Sequence, residues 1–119
     1  MSIQVYGIPT CSTCKRALKW LKEEGVSHTW HNTREKKPSK DEITQWVAEL
    51  GFGPLRNTSG GSYRALGDEK KEWGDKKWIQ AFSADPMLLK RPLFVKDGKA
   101  ILTGFRGTPE ELRTKLRLN

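Results

Sequence analysis

The sequence predicts an α/β fold in which a mixed four-stranded sheet is divided by a helical insertion. Three observations predict it: residues 3–33 fit a strand, a helix and a second strand; residues 39–84 carry helical patterns; and two apolar runs around an Asp-Gly pair precede a last helix. A βαβ half joined to a ββα half gives strands of mixed direction. From its 119 residues we expect a single domain over 1–119, with the insertion at about 39–84.

The first half begins with alternating apolar residues from Ile3 to Ile8, which predict a strand that Pro9 bounds. A helix follows, because apolar residues recur on one face, and Gly25 can end it in a left-handed conformation. The apolar residues of that face are Ala17, Leu18 and Leu21. Residues 26–33 fit a second strand, so the first two strands should run parallel with a right-handed crossover.

The turn between the first strand and the helix holds Cys11 and Cys14, the two cysteines of the chain. A helix N-terminus offers unpaired backbone N–H groups and the positive end of the macrodipole, and both favour the nucleophilic thiolate. Cys14 lies one turn further on, so it can release an adduct formed at Cys11 by closing a disulfide. Two cations and two hydroxyl groups can assist the thiolate or a bound oxyanion: Lys15, Arg16, Ser12 and Thr13. The pattern predicts thiol redox chemistry.

Two other interpretations of these cysteines are open. Free cysteines are often buried as small apolar side chains. The pair also precedes His28 and His31 at a spacing that imitates a zinc finger. A helix follows the cysteines directly, however, and the histidines fall in a strand pattern where residues three apart face opposite sides. We therefore expect no metal site.

The insertion opens with a capping box formed by Ser39 and Glu42. The helix that it starts carries apolar residues at i, i+3, i+4 and i+7, and these are Ile43, Trp46, Val47 and Leu50. Residues 57–62 form a loop by composition. A second helix should begin at Asp75 and end at Asp85, because a proline follows.

The second half contains a hairpin and a helix. Asp97-Gly98 lies between two apolar runs, 93–95 and 100–102, and this arrangement is a strong hairpin signal. Thr108 as N-cap, Pro109 at the first helical position and Glu111 as the closing residue of a capping box predict the last helix. The complete element order is that of the thioredoxin-like fold.

Composition limits the function classes. Lysine plus arginine number 22 against 14 acidic residues, and the net charge of +8 favours anionic partners. Basic runs alternate with acidic residues and no aromatic-interleaved stripe accompanies them, so we do not expect direct nucleic-acid binding. The sequence carries no targeting signal and no apolar run of membrane-spanning length. We expect a cytoplasmic monomer with no membrane association.

Three motifs and the helical insertion resemble the arsenate reductase (ArsC)/Spx family over essentially the whole chain. The motifs are Tyr6-Gly7-Ile8-Pro9-Thr10-Cys11, Lys90-Arg91-Pro92-Leu93 and Gly104-Phe105-Arg106. The resemblance implies a thioredoxin-like fold, in which Pro92 would take the place of a cis proline facing the cysteines. In the arsenate reductase branch the first cysteine attacks the arsenate oxyanion, and thiols of glutathione and glutaredoxin resolve the adduct. Carried over to this chain, the nucleophile would be Cys11.

The same branch holds the anion with three arginines. Arg91 matches one of them and Arg106 matches another, whereas residues 57–59, where the third would lie, read Asn-Thr-Ser. Arg56 or Arg64 could take its place as an additional anion contact. This departure separates the chain from typical arsenate reductases, and short relatives of similar length carry Asn-Thr followed by Gly in that loop.

The resemblance therefore implies a thiol-dependent reductase acting on an oxyanion or a glutathione mixed disulfide. No cofactor would be bound, and glutathione, thioredoxin or glutaredoxin would be the reductant. Members of the Spx branch share the two cysteines at this site, bind the C-terminal domain of the RNA polymerase α-subunit and respond to disulfide stress. A redox-sensing transcriptional regulator of that kind is the alternative, and a redox-inert binding domain is a third interpretation.

Overall fold

Four strands form one sheet in the order β2-β1-β3-β4. The computed structural model describes residues 2–118, so the ends of the predicted domain, Met1 and Asn119, lie outside the described residues. The strands are β1 (Ile3–Gly7), β2 (His28–Asn32), β3 (Leu93–Lys96) and β4 (Lys99–Thr103). β1 pairs in parallel with β2 and antiparallel with β3, which in turn pairs antiparallel with β4. The predicted mixed sheet of a βαβ half and a ββα half is confirmed.

Helices α1 (Ser12–Glu23) and α6 (Pro109–Lys115) pack on one face of the sheet. Helix α1 ends at Glu23, and Gly25, two residues further on, has the predicted left-handed conformation with a φ of 69°. The predicted capping box between Thr108 and Glu111 starts α6. The apolar cluster beneath these helices consists of Ile3, Val5, Ala17, Leu21, Phe94, Phe105, Leu112 and Leu116.

The insertion covers the opposite face of the sheet. Its helices are α2 (Lys40–Leu50), α3 (Phe52–Leu55), α4 (Gly61–Arg64) and α5 (Asp75–Ala84), with 3₁₀ turns at Asp68–Glu72 and Pro86–Leu88. The capping box at the start of α2 is confirmed, and the aromatic side chains of α2 and α5 contribute to a second apolar cluster. The loop predicted over 57–62 is shorter than expected, because Gly61 already begins the single turn of α4.

The hairpin between β3 and β4 is closed by two residues, as predicted. Asp97 and Gly98 have φ values of 54° and 78°, and positive φ at both central residues is what a type I′ turn requires. Within residues 2–118 no helix combines the length and the apolar character needed to cross a bilayer.

The insertion is joined to the segment before β3 by backbone hydrogen bonds. The N–H of Lys90 donates to the carbonyl of Leu55, and the N–H of Asn57 donates to that of Leu88, each at 2.7 Å. Between them Arg56 and Leu89 form an isolated antiparallel bridge. The segment that follows Leu89 is thereby held at one end of the sheet, next to the start of α1.

Candidate functional site

The sulfur of Cys11 caps the N-terminus of α1. Cys11 is the N-cap residue, with extended backbone (φ −81°, ψ 118°), and its Sγ accepts a hydrogen bond from the N–H of Cys14 at 3.4 Å. Both cysteines are free thiols, and Cys11 is partly exposed whereas Cys14 is buried. The predicted placement of the two cysteines at the strand-to-helix turn is what the structure has. It leaves one accessible sulfur at a helix N-terminus.

The surroundings of Cys11 favour its thiolate. Partial burial raises the pKa of Cys11, but hydrogen bonds from the backbone and thiol of Cys14 and from the backbone of Thr13 outweigh it, and the charge of Arg91 adds to them. The net effect is a pKa below the ordinary thiol value. The sequence analysis predicts that Lys15 and Arg16 are the cations that stabilise the Cys11 thiolate. The cation that acts on the sulfur is instead Arg91, because the guanidinium of Arg16 donates to the carbonyl of Phe105 at 2.7 Å.

Cys14 has the opposite character. Its side chain is only 1% exposed, and burial is the main reason why its pKa rises to about 12. Its Sγ lies against Gly7 at the end of β1: a Cβ at Gly7 would be 2.5 Å from that sulfur and 3.0 Å from the Trp30 ring. Gly7 is therefore needed for the close approach of Cys14. The sequence analysis assigns Gly7 no structural role, although its place seven residues before Cys14 on the adjoining strand was a usable signal.

Arg91 connects the cysteines with the segment before β3. Its Nη1 donates to the carbonyls of Met87 at 3.2 Å and Leu89 at 3.3 Å, while its buried Nε has no hydrogen-bond partner among the described residues. The guanidinium thus has donor capacity to spare for an anion. The Arg91–Pro92 peptide bond is cis, as the resemblance implied for Pro92, and the proline is buried.

A cationic cavity of about 410 Å³ is lined by Thr13 and Arg91, the two residues whose backbone hydrogen bond and charge act on the Cys11 sulfur, although Cys11 itself does not line it. Five of the side chains that line it are cationic: Arg16, Lys90, Arg91, Arg106 and Lys115. No acidic residue is among the described residues that line it. The structure thus brings together the predicted residues Thr13, Arg91 and Arg106. Sequence reasoning missed Lys90 and Lys115, which come from the segment before β3 and from α6.

The other predicted site residues lie elsewhere. Arg56 packs its guanidinium over the rings of Phe52 and Trp78, at 5.4 and 5.5 Å from their centres, and it does not line the cavity. Arg64 does not line it either and donates from Nη1 to the carbonyl of Ser59 at 2.8 Å. The Asn-Thr-Ser loop does reach the cavity, through Ser59. Ser12, at the first position of α1, is exposed and does not line it.

Neither histidine joins the cysteines. The Nδ1 of His28 is 2.8 Å from the carbonyl oxygen of Val26, and the Nε2 of His31 is 2.5 Å from the side-chain oxygen of Gln4. Within residues 2–118 no three side chains of histidine, cysteine, aspartate or glutamate are grouped so that they could hold a metal ion.

Comparison with known proteins identifies relatives over most of the chain. A family model described as the ArsC family matches residues 6–113. An uncharacterised protein of Haemophilus influenzae is 35% identical over 84% of this chain and 89% of its own length. The arsenate reductase of Acidiphilium multivorum is 28% identical over 79% of this chain and 68% of its own. The global transcriptional regulator Spx of Streptococcus mutans is 28% identical, over 91% of this chain and 78% of its own.

Two solved structures are similar over nearly the whole chain. The protein YFFB superimposes with a TM-score of 0.84 at 30% identity, covering 96% of this chain and 98% of the other. A possible arsenate reductase from Streptococcus mutans UA159 gives a TM-score of 0.81 at 34% identity, covering 92% and 96%.

Proposed function

Because the chain belongs to the ArsC family, which includes relatives named arsenate reductase and Spx, we propose that it is a thiol-dependent reductase. Its substrate is an oxyanion or a glutathione mixed disulfide. One observation supports this most directly: the pKa of the partly exposed Cys11 is lowered by Thr13 and Arg91, among other groups, and these two residues also line a cavity with five cationic side chains. A thiolate nucleophile beside anion-binding groups is the arrangement that such a reaction requires.

In the first step the Cys11 thiolate attacks the substrate. With a mixed disulfide it bonds to the glutathione sulfur, the substrate S–S bond breaks, and the other thiolate leaves. With an oxyanion such as arsenate it bonds to the central atom and a hydroxyl group leaves as water. Arg91 and Arg106 hold the negative charge, and Thr13, which lines the cavity with them, is a further hydrogen-bond donor of the turn.

In the second step Cys14 resolves the adduct. Burial is the largest contribution that raises the pKa of Cys14, and the charge and the hydrogen bond of Cys11 raise it further. Adduct formation removes both Cys11 contributions, while the N–H of Ile8 and the charge of Arg91 still favour the Cys14 thiolate. Cys14 then loses its proton and attacks the Cys11 sulfur, which leaves a Cys11–Cys14 disulfide. The bond from Cys11 to the adduct breaks, and the group that leaves is the glutathione thiolate from a glutathione adduct, or arsenite from an arsenate adduct, in which arsenic keeps the electron pair and is reduced from As(V) to As(III).

When the disulfide forms, the two cysteines lose two electrons, and the substrate is reduced by these two electrons. An external thiol, from glutathione, thioredoxin or glutaredoxin, returns those electrons and restores both cysteines. The cycle needs no bound metal or organic cofactor. It suits a monomer in a reducing compartment such as the cytoplasm, because free thiols persist there.

The test follows turnover and the state of each sulfur. Reduced protein is mixed with arsenate or with a glutathionylated peptide, and products are identified by a thiol assay and mass spectrometry. Wild-type protein should form the internal disulfide. Cys11→Ser should abolish turnover, and Cys14→Ser should accumulate a mixed disulfide at Cys11. Equal activity of the two variants would contradict the assigned roles.

The second candidate is a redox-sensing regulator. The observation that favours it is the Spx relative of Streptococcus mutans, whose alignment spans 91% of this chain. In such a protein the Cys11–Cys14 disulfide would be a switch without turnover. Binding of the purified protein to the C-terminal domain of the RNA polymerase α-subunit distinguishes the two functions, since a reductase gives no reason to expect that complex. Redox-dependent capture of this domain without reductase activity would replace our proposal by the regulator.

A further inference from the structure

The loop formed by residues 104–107 carries Arg106 to the cationic cavity. It follows β4 and ends just before Thr108, the N-cap of α6. Its two end residues are glycines with positive φ, 78° at Gly104 and 126° at Gly107. Because glycine has no Cβ, a loop that it flanks has many accessible conformations unless other groups hold it. Arg106 is exposed and lines the cavity, so the conformation of this loop decides where its guanidinium lies.

Two cationic side chains hold the main chain of the loop. The Nη2 of Arg16, in α1, donates to the carbonyl of Phe105 at 2.7 Å. The Nζ of Lys115, at the end of α6, donates to the carbonyl of Arg106 at 3.1 Å. Hydrogen bonds from charged donors are roughly twice as strong as those between neutral groups. The two carbonyls belong to the peptide groups on either side of the Cα of Arg106, so both of these peptide groups are held.

The start of the loop is anchored to the sheet and to the core. The N–H of Gly104 donates to the carbonyl of Pro92 at 2.8 Å. The side chain of Phe105 is buried, its ring packs against two other aromatic rings, and the guanidinium of Arg16 lies 5.6 Å from its centre. Because Pro92 directly follows Arg91, the bond from Gly104 places the loop beside the other arginine of the proposed anion site.

We propose that Arg16 and Lys115 are positioning residues, which hold the backbone at Arg106 so that its guanidinium is in place before an anion binds. The proposal rests on the proposed function, which assigns Arg106 to the negative charge of the substrate. An arginine that is held in advance loses less conformational freedom on binding, so the anion is bound more tightly. Arg16 and Lys115 line the cavity themselves, and the alternative is that they contact the anion directly.

The order of the loop backbone is the first test, measured by ¹⁵N relaxation of the Arg106 amide. For wild-type protein we expect an order parameter of about 0.85, typical of rigid backbone, and a fall towards about 0.6 when Arg16→Met and Lys115→Met are combined. Methionine is a long side chain without a donor. Lys115→Arg, which keeps a charged donor, should keep the wild-type value. An unchanged order parameter in the double variant would overturn the proposal.

Anion affinity is the second test. Inorganic phosphate, which is tetrahedral and does not oxidise thiols, is titrated at about 0.15 M ionic strength, where the Debye length is about 8 Å. Arg16→Met and Lys115→Met should each raise the Kd about three- to tenfold, the range expected when one long side chain must be ordered on binding. Lys19→Met removes an exposed cation of α1 that does not line the cavity, and it should leave the Kd unchanged. A wild-type protein that does not bind phosphate would overturn the proposal.

The Arg106→Ala background distinguishes positioning from direct contact. Without the Arg106 side chain, the two donors have nothing to position, so Arg16→Met and Lys115→Met should each change the Kd by less than about twofold. Effects of full size in that background would show that the two cations contact the anion themselves, and would overturn the proposal.

Turnover of glutathione disulfide separates this proposal from the proposed function. Because Arg106 holds the substrate's charge in the ground state and the transition state alike, Arg16→Met should raise KM about three- to tenfold with little change in kcat. Absence of turnover in wild-type protein, with loop order and phosphate affinity responding as expected, would refute the reductase function and retain the positioning. Turnover with a KM that Arg16→Met leaves unchanged would refute the positioning alone.

Discussion

Replacing Gly7 by alanine tests how closely the buried cysteine is held against the sheet. The added Cβ would lie 2.5 Å from the Sγ of Cys14 and 3.0 and 3.2 Å from two ring atoms of Trp30. Carbon contacts are optimal at roughly 3.5–4.0 Å, so the methyl group overlaps the sulfur by about 1 Å. Overpacking of this kind in a core costs about 1–3 kcal/mol. We expect Gly7→Ala to lower the free energy of unfolding by that amount.

Urea unfolding, evaluated by linear extrapolation, measures this loss. Gly61→Ala is the matched control, because a Cβ at Gly61 would meet only the Nη2 of Arg64, at 3.9 Å, and it should be neutral or stabilising by about 0.4–1 kcal/mol. In a Cys14→Ala background the cost of Gly7→Ala should shrink by at least about 1 kcal/mol, since the main clash is gone. Gly7→Ala should also slow the release of glutathione from the Cys11 adduct, because the displaced Cys14 sulfur approaches it less well. An unchanged cost in the Cys14→Ala background would refute the packing argument.

Four further predictions concern ionisation and charge. At neutral pH the folded protein should take up one iodoacetamide, at Cys11, and the unfolded protein two, counted by mass spectrometry, because the pKa of Cys11 is lowered and burial raises that of Cys14 to about 12. Because the pKa of Cys14 is raised in the folded state, its protonated thiol stabilises the fold below the unfolded thiol pKa of about 8.5, and this contribution is lost as the pH rises towards 12. Between about pH 8.5 and pH 12 the free energy of unfolding should therefore fall more for the wild-type protein than for Cys14→Ala. Arg91→Gln should raise the pKa of Cys11, so that the midpoint of the pH profile of its alkylation moves to higher pH. Lys115→Gln should weaken the salt dependence of the reaction with glutathione disulfide, whereas Lys99→Gln, at the other end of β4, should not.

Local chemistry explains which parts of the fold were predictable. Asp97-Gly98 predicts the hairpin because a type I′ turn needs two residues that tolerate positive φ. Both capping boxes predict the start of a helix because their two partners are three residues apart in sequence. The single-turn helices of the insertion were not found. Four-residue helices such as α3 and α4 are too short for a period of 3.6 residues to appear.

The candidate site was predictable only as far as its parts lie together in sequence. The strand-to-helix position of Cys11 followed from the turn, and Arg91 followed from the resemblance. Lys90 and Lys115 come from separate elements and meet only in the folded cavity. The same limit explains why the assisting cation was assigned to the neighbours of the cysteines: sequence proximity does not specify that the Arg16 side chain turns towards Phe105.

The backbone hydrogen bonds between the insertion and the segment before β3 determine which residues near the site can change in sequence. Backbone hydrogen bonds between 55–57 and 88–90 hold the segment that leads to Arg91, whose charge acts on the Cys11 sulfur. These bonds do not involve the residues that follow Asn57. Residues 58–60 can therefore be substituted, extended by insertion or changed in charge while Arg91 keeps its position. Under the proposed function, substrate preference can change through these residues without moving Cys11.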